Sequence, residues 1–529
     1  MTSRNRLLKQ RILTSVSDMR ISHPHTGAGR ILRLTSWLEG PLSSWWCALG
    51  WLGATAIFIL FTRLLGGPSQ ADAGESVFTT WAIAHGHLSC AYPGGRVDGG
   101  LFIAPILYPM LAGGIAALAK IGHDVPFPTQ AQLGNHCSHA ITAMTQWAMQ
   151  SNATVPTVRI GYVGWFVLLA GVIALLRVSG RGRCGWEPTA VVLVACAPPI
   201  FMCYENAFHP QDLVAMGLIL AGLACARRSW WIWAGILLGL AVTSQQFALL
   251  ALAPLLVLAP GIQRLRYAAA AIASMAVIIV PMIVIASGGA LRAALFGSSQ
   301  ITLGANTNSS TGGTVLWETH LHGAPLFVLV RILPIAFAMT LAWWARHRFG
   351  SATLETVPLI TIIATSLIFR LVFEENIFGY YFMAVAVLVI LLDVVRGQVR
   401  GCTLAWLGLV TLVFDPVPWG HEALHQAIPV VIGAIGLLFV FFDVIRGQIR
   451  WYLVAWLALV VLTCEPLIWG LTVGHQVLPN SLWQVVLVSL AVWLAIGPLF
   501  SSTPGSPRSR AHPPKKQLEH GIDHSATLR

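Results

Sequence analysis

Apolar residues in this chain fall into runs of membrane length, separated for the most part by very short polar loops. A membrane-crossing helix needs about 20 mostly apolar residues. The first such run is Trp45–Leu65, and Ile160–Leu176, Thr189–Cys203, Leu213–Ala226, Trp230–Ser244, Phe247–Pro260 and Tyr267–Ala286 follow it. Leu326–Ala345, Pro358–Phe373, Gly379–Leu392, Thr403–Phe414, Pro429–Phe442, Trp451–Cys464 and Leu482–Phe500 complete the series. The expected fold class is therefore all-α, a polytopic integral membrane protein of about 14 transmembrane helices. Two longer polar stretches interrupt the pattern, Gly66–Thr157 and Ser287–Pro325. Within the first, the apolar run Leu101–Ile121 carries Pro105 and Pro109. If it crossed the bilayer, every later basic loop would change sides, so it is expected to lie in one leaflet as a re-entrant or interfacial helix.

Charge orients this path. Hydrophobic residues make up 56% of the 529-residue chain and charged residues 10%, which excludes a soluble globular protein. The net charge of +12 is carried by a basic leader (Arg4, Arg6, Lys9, Arg11) and by short loops. Those loops hold Arg177/Arg181/Arg183, Arg227/Arg228, Arg264/Arg266, Arg346/Arg348, Arg396/Arg400 and Arg446/Arg450. Short basic loops mark the cytoplasmic side, so the excess reports topology and not nucleic-acid binding. Both termini are then cytoplasmic, and the two long polar loops are extracytoplasmic. Arginine far outnumbers lysine, and with abundant Ala, Gly and Trp this bias points to a GC-rich bacterial genome; the expected location is the bacterial plasma membrane.

Four segments are expected. Residues 1–44 form a basic cytoplasmic leader, and 45–374 a catalytic membrane module with outer loops 66–157 and 287–325. Residues 375–500 form C-terminal membrane helices, and 501–529 a disordered tail rich in Ser, Pro and Arg. The third segment repeats itself at an offset of 50 residues: Asp393–Arg400 recurs as Asp443–Arg450, and His425-Gln matches His475-Gln. An architectural duplication of a helix pair accounts for this.

Of nine cysteines none has the spacing of a metal knuckle, and Cys90 and Cys137 share the first outer loop, where an oxidising compartment would let them pair. That loop also carries Asp72, Glu75, His85 and His87. Carboxylates at a membrane interface stay solvated and can serve as general bases. The alternating pairs His85/His87 and His320/His322 leave a divalent metal open, although such residues are more often solvated loop positions. No P-loop, dinucleotide fingerprint or nucleophile elbow is present.

Several stretches stand out together: Asp72-Ala-Gly-Glu75, Trp81–His87, Ala104–Pro109, Phe208-His-Pro-Gln-Asp-Leu213 and Ala234–Val242, with Glu374–Tyr381. Taken together they resemble the GT-C superfamily of membrane glycosyltransferases, and within it the family 87 mannosyl- and arabinosyltransferases. The resemblance covers about residues 45 to 290 and that last stretch. It implies a polyprenyl-phosphate sugar donor and an extracytoplasmic glycan, glycolipid or protein acceptor. It also implies a catalytic base in the first outer loop, a place taken by Asp72 with Glu75 as alternative. Substrate-binding roles then fall to Tyr108 on the interfacial helix, to His209 and Asp212, and to Glu374 and Glu375. Family members often carry a lysine where this chain reads Thr243-Ser-Gln-Gln246. Another cation would have to meet the donor phosphate, and Arg370, Arg331 and Arg159 stand near outer span ends for it. A transporter or flippase for a lipid-linked or polar substrate is the alternative reading; the short, same-orientation repeat and the loop-borne acids weigh against it.

Overall fold

A computed structural model gives the fold. It describes residues 42–64, 78–90, 107–119, 154–180, 186–205, 208–286, 328–374, 379–397, 399–414 and most of 487–496, with short pieces between residues 96 and 143. Among the described residues the architecture is helical except for a minimal antiparallel ladder pairing Arg96–Val97 with Gly100–Leu101. The helices are α1 (Leu42–Leu64), α2 (Leu107–Ala119), α3 (Thr154–Val178), α4 (Trp186–Cys196), α5 (Pro198–Glu205), α6 (Pro210–Arg227) and α7 (Trp231–Ser244). They continue with α8 (Leu249–Leu258), α9 (Gln263–Ala286), α10 (Leu333–Phe349), α11 (Thr356–Leu371), α12 (Met383–Val395) and α13 (Gly401–Phe414). Five helices among the described residues are long and apolar enough to cross a membrane, or up to six if the bent pair α4–α5 is one span. The expected number of about 14 is not reached there, because several apolar helices are shorter than a full crossing and residues 415–486 lie outside the described set.

Proline and glycine set the local departures from the expected spans. The run Thr189–Cys203 is two helices bent by 57°, because Pro198 and Pro199 remove backbone donors at the junction. Ahead of α10 the backbone makes a π-turn over Val328–Ile332. Pro334 follows it and lacks the N–H that a regular α-turn would use there.

The core is assembled by close backbone approach. Without a hydrophobic force between helices in lipid, packing relies on small residues. A Cβ on Gly217 would lie 2.3 Å from the Val167 carbonyl oxygen, and one on Gly171 would lie 2.2 Å from the Gly217 oxygen. Gly164 meets Pro210 in the same way, so α3 and α6 run parallel. Gly235 and Gly239 form a small-residue face on α7 that sits against Tyr267, Ala271 and Ser274 of α9, again parallel. Helix α1 runs antiparallel to α3: Phe58 stacks on Trp165 at 4.4 Å, Trp165 Nε1 donates to Thr55 Oγ1 at 3.1 Å, and Thr62 and Tyr162 hydroxyls meet at 3.0 Å. These directions agree with the alternation of basic loops.

Helix α2 spans only 13 residues, about 20 Å at 1.5 Å per residue and too short to cross. Tyr108, Ala112 and Ala116 face the core, whereas Leu111, Ile115 and Leu118 are exposed. An apolar stripe on the open side suits a helix lying in one leaflet. Preceding it, residues 78–84 are helical and His85–Gly86 form a turn, Gly86 with φ +79. His85 and His87 both stack on Phe127, at 5.2 and 5.8 Å. Cys90 is disulfide-bonded. The described cysteines Cys47, Cys196, Cys203, Cys225 and Cys402 are all free, and the expected partner Cys137 lies outside the described set.

The first copy of the repeat is a helix-turn-helix. Asp393, buried at the end of α12, accepts from the Arg400 backbone N–H at 3.1 Å and from Thr403 Oγ1 at 2.7 Å. It also pairs with the Arg400 guanidinium. Gly397 turns the chain with φ +73. Asp, Gly and Arg are the residues that recur at 443, 447 and 450, so what is duplicated is the chemistry of a turn. The second copy lies outside the described residues.

Candidate active site

Five helix ends converge at one end of the bundle and enclose a small cavity of about 110 Å³. The first turn of α6 supplies His209 and Asp212, and the segment between α7 and α8 supplies Gln245 and Phe247. The last turn of α11 gives Leu367, Arg370 and Leu371, and the start of α12 gives Tyr380, Tyr381 and Met383–Val385. All these ends were assigned to the same side of the membrane by the arginine pattern. The opposite ends carry the basic loops, where Arg227 at the close of α6 donates to Thr356 Oγ1 at the opening of α11, at 3.3 Å.

Local sequence explains how α6 begins. Phe208 is fully buried with φ +46, a conformation that costs a bulky side chain about 1–3 kcal/mol. Its ring packs edge-on to Tyr204 at 5.6 Å, and the turn aims His209 into the cavity. Pro210 opens the helix where a missing N–H is tolerated. Ser244 Oγ donates to the Gln211 carbonyl at 2.8 Å and ties the end of α7 to the start of α6.

His209 stacks on Tyr380 at 4.7 Å and 26°. Gln211 Nε2 meets its Nδ1 at 2.9 Å, so with the amide donating, the imidazole carries its proton on Nε2. Burial pushes the His209 imidazole down to about 4, which keeps it neutral at ordinary pH and suits it to hydrogen bonding and stacking. Asp212 is buried, and among the described residues its Oδ1 has no hydrogen-bond partner. Arg370 lies over the Phe247 ring at 5.8 Å and forms an ion pair with Glu374, four residues on. A guanidinium of this kind offers five N–H donors, and one carboxylate does not exhaust them.

Of the residues expected from sequence, His209, Asp212 and Arg370 meet around one cavity, with Glu374 on Arg370. Tyr108 is buried in the core and is not among the described lining residues. Arg159 is exposed near the start of α3, and Arg331 sits half-buried in the π-turn before α10. Both lie at pocket-side helix ends. Asp72, Glu75 and Glu375 lie outside the described residues. Sequence reasoning missed Gln245, Phe247 and Tyr380 as pocket residues. The signal for Gln245 was on the page, since it belongs to the run that stands in place of a lysine.

This arrangement defines a multi-pass membrane protein with a polar, charged pocket at one end of a helical bundle. Residues 149–373, somewhat under half of the chain, match glycosyltransferase family 87. That match makes the protein a glycosyltransferase. No curated protein matches it. All the described pocket residues up to Leu371 fall inside the matched segment, whereas Tyr380–Val385 lie beyond it.

Proposed function

We propose that the protein transfers a sugar from a polyprenyl-phosphate-linked donor to a glycan, glycolipid or protein on the extracytoplasmic face of a bacterial plasma membrane. The observation that carries this reading is the convergence of His209, Asp212 and Arg370 on one cavity, built largely from the segment that matches family 87. Asp72, or Glu75 in its place, removes the proton of the acceptor hydroxyl. The oxygen attacks the anomeric carbon with inversion while the bond from that carbon to the phosphate oxygen breaks. The lipid phosphate departs already charged, so no general acid is needed. Arg370 meets it, and Arg331 and Arg159 at neighbouring helix ends are the further cations available. His209 donates a hydrogen bond to a sugar hydroxyl while Asp212 and Glu374 accept from others, and Glu375 and Tyr108 are assigned to the same binding surface.

The test is Asp72→Asn in proteoliposomes supplied with a labelled polyprenyl-phosphate sugar. Removing a general base costs about 10²–10⁴-fold in rate, so transfer should fall by that order while donor binding survives. Glu75→Gln should cost less. Unchanged turnover in the Asp72 variant, with loss in the Glu75 variant, would move the base to Glu75; unchanged turnover in both would remove the mechanism.

A further inference from the structure

At the end of the bundle opposite the pocket, two arginines from different helices converge on the same two carbonyl oxygens. Helix α8 starts at Leu249, two residues after the pocket residue Phe247, and closes at Leu258. There Arg264 Nη2 donates to Val257 O at 3.1 Å and Ala259 O at 3.4 Å. Arg346 Nη1, from the last turn of α10, donates to the same Val257 O at 2.6 Å and Ala259 O at 3.3 Å. Cations near the last carbonyls of a helix are favourable, but one guanidinium with five donors satisfies both oxygens. The second is surplus, and the two like charges are held close together. Among the described residues neither arginine has a carboxylate partner. Each uses one nitrogen on the carbonyls, leaving the rest of its donors open. Apolar residues near each arginine in sequence, Ile262 and Leu265 for Arg264 and Trp343 and Phe349 for Arg346, are all exposed.

We infer that Arg264 and Arg346 form a binding site for the phosphate headgroup of an anionic phospholipid, on the membrane face opposite the pocket. A phosphodiester accepts from two guanidinium forks at once. The exposed aliphatic and aromatic residues near them in sequence match acyl chains and the interfacial zone, where Trp is at home. Basic pockets between helix ends on one membrane face are suited to such headgroups. The site is independent of the catalytic reading, since none of its residues lines the pocket.

The experiment uses the full-length protein in detergent, titrated with phosphatidylglycerol, phosphatidylcholine or sodium phosphate. Lipid retention is read by native mass spectrometry and the thermal midpoint is followed in parallel. Phosphatidylglycerol should be retained in preference to phosphatidylcholine and should raise the midpoint. Replacing both arginines (R264Q/R346Q) should cut that retention about tenfold or more, at roughly 1 kcal/mol per basic residue. R266Q removes the same charge from an exposed arginine with no contact to these carbonyls and should retain the lipid like the wild type. Should the double variant fail to fold, R264Q alone leaves Arg346 to cap α8 and should lose retention several-fold. Equal loss in R266Q, equal retention of phosphatidylcholine, or unchanged retention in R264Q would overturn the site. Stabilisation by sodium phosphate as strong as that by the lipid would make it a free-anion site instead.

Discussion

At the scale of single residues, the pocket is decided by how Arg370 is held. Its guanidinium lies on Phe247 and is neutralised in part by Glu374, so it stands ready without being an isolated charge in an apolar bundle. Hydrogen bonds to charged groups contribute about 1.5–3 kcal/mol. Arg370→Ala should therefore weaken donor binding by about 10–100-fold, measured as the concentration of polyprenyl-phosphate sugar giving half-maximal transfer. Arg370→Lys, a point charge without the fork, should recover part of that loss. An unchanged donor dependence in the alanine variant would move the phosphate contact elsewhere, with Arg331 and Arg159 the next candidates. His209 and Asp212 were reached through the likeness of Phe208–Leu213 to the family, and Arg370 because a cation at the outer end of an apolar span stands out. Gln245 and Tyr380 were not, because a glutamine and a tyrosine 135 positions apart become neighbours only through helix packing.

At the scale of elements, glycine decides which helices can touch. The Gly171/Gly217 crossing of α3 and α6 and the Gly235/Gly239 face of α7 leave no room for a side chain. Overpacking costs about 1–3 kcal/mol and often more where backbone is the obstacle. Gly217→Val should lower the thermal midpoint of the detergent-solubilised protein and reduce its monodisperse yield. Gly53→Ala on α1, where nothing lies within 4 Å, should leave both unchanged. A Gly217 variant as stable as the wild type would contradict the close crossing. The run Ala234–Val242 was quoted for its likeness to a family, and its physical content is this small-residue face. Span boundaries were readable to within a few residues: Trp230–Ser244 against Trp231–Ser244, and Leu213–Ala226 against Pro210–Arg227. The bend between α4 and α5 and the π-turn before Leu333 were not foreseen. Apolar periodicity does not register a proline's effect on backbone hydrogen bonding, although Pro198, Pro199 and Pro334 were there to be weighed.

At the scale of the whole molecule, the arginine pattern fixed alternate helix directions, and the packing agrees. α3 and α6 are parallel, α7 and α9 are parallel, and α1 opposes α3. Cytoplasmic placement of the basic ends remains our assignment, with the pocket outside. Reporter fusions at residues 180, 228, 265 and 347 should read as cytoplasmic, and an outward reporter at 228 would reverse every helix. The central claim is that sugar moves from a lipid-linked donor to an acceptor at this pocket. The most direct measurement supplies the purified wild-type protein, in proteoliposomes, with either a labelled polyprenyl-phosphate sugar or the same sugar as a nucleotide diphosphate. Label should pass to an added acceptor from the lipid-linked donor alone. Transfer from the nucleotide sugar, or labelled lipid-linked sugar crossing the bilayer with no transfer at all, would contradict the account.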